Sequence, residues 1–134
     1  MQAEVLYEME LKLSPAVIIG AVPEGTRVDF PFTGRVSGPG IHGKFDGVDY
    51  MLLRSDAVGC LHIHGVITTD GGDLISVEAS GFSTAAPDGR FAIKETITYH
   101  TSCKELAWLN STQGLADGFF DMGINELNAK IVKV

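Results

Sequence analysis

The stretch Leu61 to Gly81, LHIHGVITTDGGDLISVEASG, constrains the fold more than any other part of the chain. Side chains alternate across a strand, so a period-two reading places Ile63, Gly65, Ile67, Ile75, Val77 and Ala79 on one face. His62, His64, Thr68, Ser76, Glu78 and Ser80 fall on the other. Two alternating runs around an Asp70-Gly71-Gly72-Asp73 turn make a β-hairpin. Its apolar face needs cover. Its polar face is either wet exterior or the lining of a ligand cavity, and the hairpin alone does not decide between them.

The rest of the chain repeats this texture. Val5 to Leu13 alternates with Val5, Tyr7, Met9, Leu11 and Leu13 on one side. Ala16 to Val22 is a short apolar run that ends at the Pro23-Glu24-Gly25 turn. Thr26 to Val36 follows, and its Pro31 predicts a bulge or an edge. Glycines 38, 40, 43 and 47 predict close passage of one backbone by another. Val48 to Arg54 and Phe91 to Thr101 read as further strands, with Phe91, Ile93, Ile97 and Tyr99 sharing one face and Lys94, Thr96, Thr98 and His100 the other. Ser102 to Asn110 is the one helical piece, about two turns long, with Ser102 as N-cap and Glu105 three residues on. It is expected to cross one end of the fold, with Trp108 as a plug. Gly114 to Met122 and Leu127 to Val134 complete the strands. Sixteen glycines and five prolines punctuate these runs, which points to an all-β meander closing as a sandwich or barrel.

At 134 residues the chain fits a single domain, 1–134, with a sizeable core. No apolar run approaches the roughly 18 residues needed to span a bilayer as a helix. The N-terminus MQAEVLYEMELK carries acidic residues where an export signal needs basic ones, so cytoplasmic residence is the default expectation, with Cys60 and Cys103 as reduced thiols. A net charge of −7 with ten scattered Lys and Arg argues against nucleic acid and anionic membranes as partners. Small molecules and further copies of the chain are the partners that fit.

His62 and His64 project from one strand face about 6 to 7 Å apart, and His100 shares the parity of that face two strands on, with Glu78 between them. Without a cofactor these residues form an acid–base set, in which a carboxylate or Lys94 holds and tunes an imidazole. The alternative is a divalent metal at His62, His64 and His100. Without a site the set is plain polar surface, with Glu78 and Lys94 in a cross-strand ion pair. No Gly-x-Ser-x-Gly elbow is present, no helix follows the glycine-rich loop to cradle phosphate, and neither cysteine has a histidine spaced to activate it.

Several segments together carry a resemblance: Gly25-Thr26-Arg27, PFTGRVSGPGIHG at Pro31 to Gly43, DYMLLRSD at Asp49 to Asp56, TTDGGDLI at Thr68 to Ile75, and AWLN at Ala107 to Asn110. The chain resembles domain of unknown function 3237, also called uncharacterised protein family 0311. The resemblance implies a closed antiparallel up-and-down β-barrel of about eight strands, similar to allene-oxide-cyclase and calycin-like barrels, with a central cavity. It brings no established reaction. Where the family commonly reads Leu-Asp-x-Arg this chain has Leu61-His62-Ile63-His64, where Phe-Glu-Thr is usual it has Tyr99-His100-Thr101, and Lys94 stands where an Arg is usual.

These departures favour a polar face turned inward. The leading expectation is a His-lined cavity of His62, His64, Glu78, Lys94 and His100 that binds a small carbonyl- or carboxylate-bearing molecule. As an enzyme it would be a cofactor-free isomerase, cyclase or lyase, with an imidazole taking the proton and Lys94 or a second imidazole stabilising an oxyanion. A non-catalytic carrier using the same cavity is the second reading. A structural oligomer is the third, with apolar side chains filling the barrel and histidines facing water, the default for strands. The polar-inward version leaves an apolar exterior and therefore predicts a dimer or larger assembly.

Overall fold

The computed structural model describes residues 4–134; Met1–Ala3, where the segment weighed above for export begins, lie outside the described residues. Among the described residues, nine strands form one sheet: β1 (Val5–Leu13), β2 (Val17–Val22), β3 (Gly25–Ser37), β4 (His42–Leu53), β5 (Gly59–Thr69), β6 (Leu74–Ala85), β7 (Phe91–Thr101), β8 (Gln113–Asp121) and β9 (Glu126–Lys133). Consecutive strands from β2 to β9 pair antiparallel, β9 pairs with β1, and β1 pairs with β3. That last pairing closes an eight-stranded barrel and leaves β2 outside the ring.

Pro31 marks the place where β3 changes partners. Residues 32–37 of β3 pair with β1, while residues 25–29 pair with β2. A residue without an N–H is tolerated where one strand edge passes between partners, and the Pro31 carbonyl still accepts the Ser14 amide at 2.8 Å. The predicted close passages also occur. Gly47 lies opposite Gly65, and a Cβ on Gly47 would stand 2.8 Å from the Phe32 ring, one on Gly65 2.7 Å from the Phe45 ring. The paired glycines leave room for those two rings, which meet edge to face at 4.9 Å.

Alternation decides which side is core. Ile67, Ile75, Val77 and Tyr99 are buried, while His62, His64, Glu78, Lys94 and His100 on the same strands are exposed. The expected inward polar face is therefore corrected. The apolar side of the hairpin fills the barrel, because the reverse arrangement would both desolvate five ionisable groups and leave the aliphatic side chains in water.

The helical piece is wound more tightly than an α-helix, with fewer residues per turn. Lys104–Ser111 is a 3₁₀ helix, Cys103 stands at its N-cap position, and no side-chain bond caps it, so the Ser102–Glu105 capping pair does not form. Its Leu109 is fully buried and, with Ile41 from the β3–β4 connection, belongs to the core at that end of the barrel. Among the described residues, the β1–β2, β4–β5, β6–β7 and β8–β9 connections that ring the other end contain no helix.

Candidate functional site

Residues opposite one another in neighbouring strands share a face, so the pairing ladder gives the lumen row by row. Gly47, Gly65, Val77 and Tyr99 form one row; Asp49, Ile63, Ala79 and Ile97 form the next toward the open end; Leu61, Gly81, Glu95 and Ala116 form a third. Two carboxyls thus stand inside an otherwise aliphatic and aromatic wall. The β4–β5 ladder skips Tyr50, Met51, Leu61 and His62. The His62 amide there donates instead to Asp49 Oδ1 at 3.1 Å, which fixes the Asp49 side chain against the wall.

A cavity of about 40 Å³ lies among these rows, and ten of the twelve residues lining it are apolar, the exceptions being Asp49 and Glu95. Leu13 of β1, Ile63 of β5 and Leu127 of β9 are among its apolar walls. The volume admits on the order of three water molecules or one small head group, but not a ring. A larger hollow of about 1010 Å³ is lined by the outward Phe82, Lys94, Leu115 and Lys130 and also by Leu61, Gly81, Glu95 and Ala116 of the third row. It is open to solvent and crossed by an exposed ion pair, so it does not enclose a ligand.

The electrostatics of the two carboxyls differ. Burial raises Asp49 to about 6; the His62 amide pulls against that, and Asp29 adds a small upward push. Burial, then the charge of Asp49, raises Glu95 to about 8. Glu95 is 4% exposed, and its Oε2 has no hydrogen-bond partner. Between those two values the pair holds one proton, with Asp49 as carboxylate and Glu95 as acid. Deeper in the lumen the Tyr7 and Tyr99 hydroxyls share a hydrogen bond of 2.7 Å, their rings edge to face. Burial raises both, Tyr99 to about 12, although the bond from Tyr7 works against the shift on Tyr99.

None of the five residues singled out from sequence lines this cavity. His64 and Glu78 face each other across β5 and β6, Nε2 to Oε1 at 3.0 Å, with side chains 57% and 59% exposed. Lys94 meets Asp117 of β8 at 3.2 Å rather than Glu78. His62 lies opposite Ser80, and His100 opposite Ser76. Such exposed pairs contribute about 0 to 1 kcal/mol each. The alternative metal site does not assemble: among the described residues, no group of three His, Cys, Asp or Glu is placed to hold an ion.

Glu95 and Asp49 are the residues that sequence reasoning missed. Glu95 has the parity of Ile93, Ile97 and Tyr99, so a charge on the apolar face of a clean strand was the available signal.

With the barrel and its lumen defined, comparison places the chain. A family model described as protein of unknown function (DUF3237) matches residues 1–134. The chain belongs to this family. No curated protein matches this family member. Among solved structures, a β-barrel-like protein from Acinetobacter baumannii superposes with a TM-score of 0.88 at 20% identity, covering 98% of this chain and 94% of that one. A protein of unknown function from Clostridium acetobutylicum gives 0.88 at 21% identity, covering 100% and 99%. An enzyme from Penicillium herquei gives 0.76 at 22% identity, covering 98% and 93%. At these identities the likeness is one of fold.

Proposed function

We propose that this DUF3237 barrel takes the polar head group of a small organic molecule into its lumen and exchanges a proton with it, without a cofactor, through Asp49 and Glu95. The observation that carries the reading is Glu95: a buried carboxyl with an unpartnered oxygen on the wall of an otherwise apolar cavity. Unsatisfied buried polar groups cost about 1 to 3 kcal/mol, and functional sites are where such costs are kept.

A carboxylate and a carboxylic acid in one cavity supply a proton acceptor and a donor together. Asp49 accepts a proton from the ligand, and Glu95 donates one or hydrogen-bonds a carbonyl, hydroxyl or amine. Isomerisation, cyclisation and elimination, the classes expected from sequence, keep their place, with carboxyls in the roles assigned there to imidazoles. A carboxylate-bearing ligand drops out, because it would bring a further negative charge to an acidic, cation-free wall.

The test is methyl NMR of Ile63, Val77 and Leu127 during titration with short-chain ketones, alcohols and amines, followed by incubation in D₂O and mass spectrometry of the ligand. Saturable shifts at those methyls, with deuterium uptake reduced about 10²-fold by D49N, support the reading. Absence of any saturable shift at the lumen methyls removes it.

A further inference from the structure

We propose that the head group this lumen selects is a protonated amine, the polar end of an otherwise apolar molecule. The inference rests on the reading of the lumen as a ligand site and narrows it to one ligand class.

The argument is one of charge balance. The cavity wall holds two carboxyls and no Lys, Arg or His. The cations nearest in sequence are turned away: Lys94, adjacent to Glu95, pairs outside with Asp117, and His62, whose amide holds Asp49, carries its side chain on the exposed face. The groups facing Glu95 are Asp49 from β4 and Tyr7 from β1, each an acid. A buried anion without a cation is costly, and proteins pair such charges or bind the counter-ion. An organic ammonium supplies the missing charge and three donors, against which the structure offers Glu95 Oε2, free of any partner, and the Asp49 carboxylate.

Volume sets the rest of the ligand. About 40 Å³ accepts an ammonium and its first carbons but no bulky group. The tail must then extend beyond the cavity, and the β8–β9 turn, where Met122 and Ile124 are 68% and 59% exposed, offers it apolar surface. Asn125 beside them hydrogen-bonds both the amide and the carbonyl of Leu13, so this turn is tied to the cavity wall.

When an ammonium binds, Glu95 gives its proton to solvent; when the neutral amine enters, the same proton passes from the Glu95 carboxyl to nitrogen. Either way the bound state is one ammonium between two carboxylates. The experiment compares butylamine, 1-butanol and butyrate by lumen-methyl NMR, and by calorimetry in buffers of different ionisation enthalpy. Butylammonium should give saturable shifts at Ile63 and Leu127. Its affinity should rise about tenfold per pH unit from pH 6 and level off above about pH 8, with up to one proton released per ligand. E95Q should abolish that pH dependence. Binding of 1-butanol at the same methyls equal to or tighter than butylammonium overturns the amine and leaves the lumen site standing. Silence of all three at the lumen methyls overturns both readings.

Discussion

Glu95 and Asp49 face one apolar lumen from β7 and β4, and the charge of Asp49 adds to burial in holding the proton on Glu95. This relationship makes stability depend on pH. The folded state raises Glu95 from 4.5 to about 8, so between those values the folded chain binds more protons than the unfolded one. Stability therefore falls as pH rises through that window and is level above it. At about 1.4 kcal/mol per unit the loss is of the order of a few kcal/mol. Asp49, raised from 3.8 to about 6, acts in the same direction at lower pH. Urea melts from pH 4.5 to 9 should show the decline. E95Q, neutral at every pH, should match the wild type at the acid end and exceed it at the alkaline end.

The outward histidines should matter little to the fold. His62→Ala and His100→Ala remove exposed side chains that fill no part of the core, so each should change stability by less than about 0.5 kcal/mol and leave lumen binding unaltered. Val77→Ala, by contrast, removes methyls from a position 1% exposed beside the cavity and should cost about 1 to 3 kcal/mol. Denaturant midpoints of the three variants check both statements.

The contrast shows how far the sequence could be read. The two faces of β5, β6 and β7 were legible from alternation alone, since Ile67, Val77 and Ile97 recur at even spacing and all three are buried. Which face lay inside was a question of energy, and the plain rule of apolar inward held against the inference drawn from three family positions occupied by histidine. Closure of the ring was not legible from period two, because the β1–β3 pairing joins segments whose individual patterns do not name a partner. Glu95 was readable as an exception to its own strand. Asp49 was not: its place on the same lumen wall as Glu95 follows from the β4–β5–β6–β7 register, which no single segment encodes.

The tyrosine pair sets a second stability test. Tyr7→Phe leaves the Tyr99 hydroxyl buried without its 2.7 Å partner, whereas replacing both hydroxyls removes donor and acceptor together. The single variant should lose about 1 to 3 kcal/mol and the double variant less than the sum of the two singles. A double-mutant cycle by calorimetry measures the coupling directly, and additive losses would show that the hydroxyls do not depend on each other.

Gly81 links packing to the acid. It lies opposite Glu95 in the β6–β7 ladder, and a Cβ there would run into the Lys94 carbonyl and stand 2.8 Å from the Glu95 Cα. Backbone cannot swing aside as a side chain does, so Gly81→Ala must push β6 and β7 apart beside the carboxyl. Overpacking of this kind costs about 1 to 3 kcal/mol. Separated strands also admit water to Glu95, which weakens the burial that raises it, so its titration should move down from about 8 toward the ordinary carboxylate range. Carboxyl ¹³C titration of the variant, set beside its denaturation midpoint, reads both effects at once. A destabilised G81A whose Glu95 still titrates near 8 would mean that the carboxyl is shielded by the lumen side chains and not by the tightness of the β6–β7 wall.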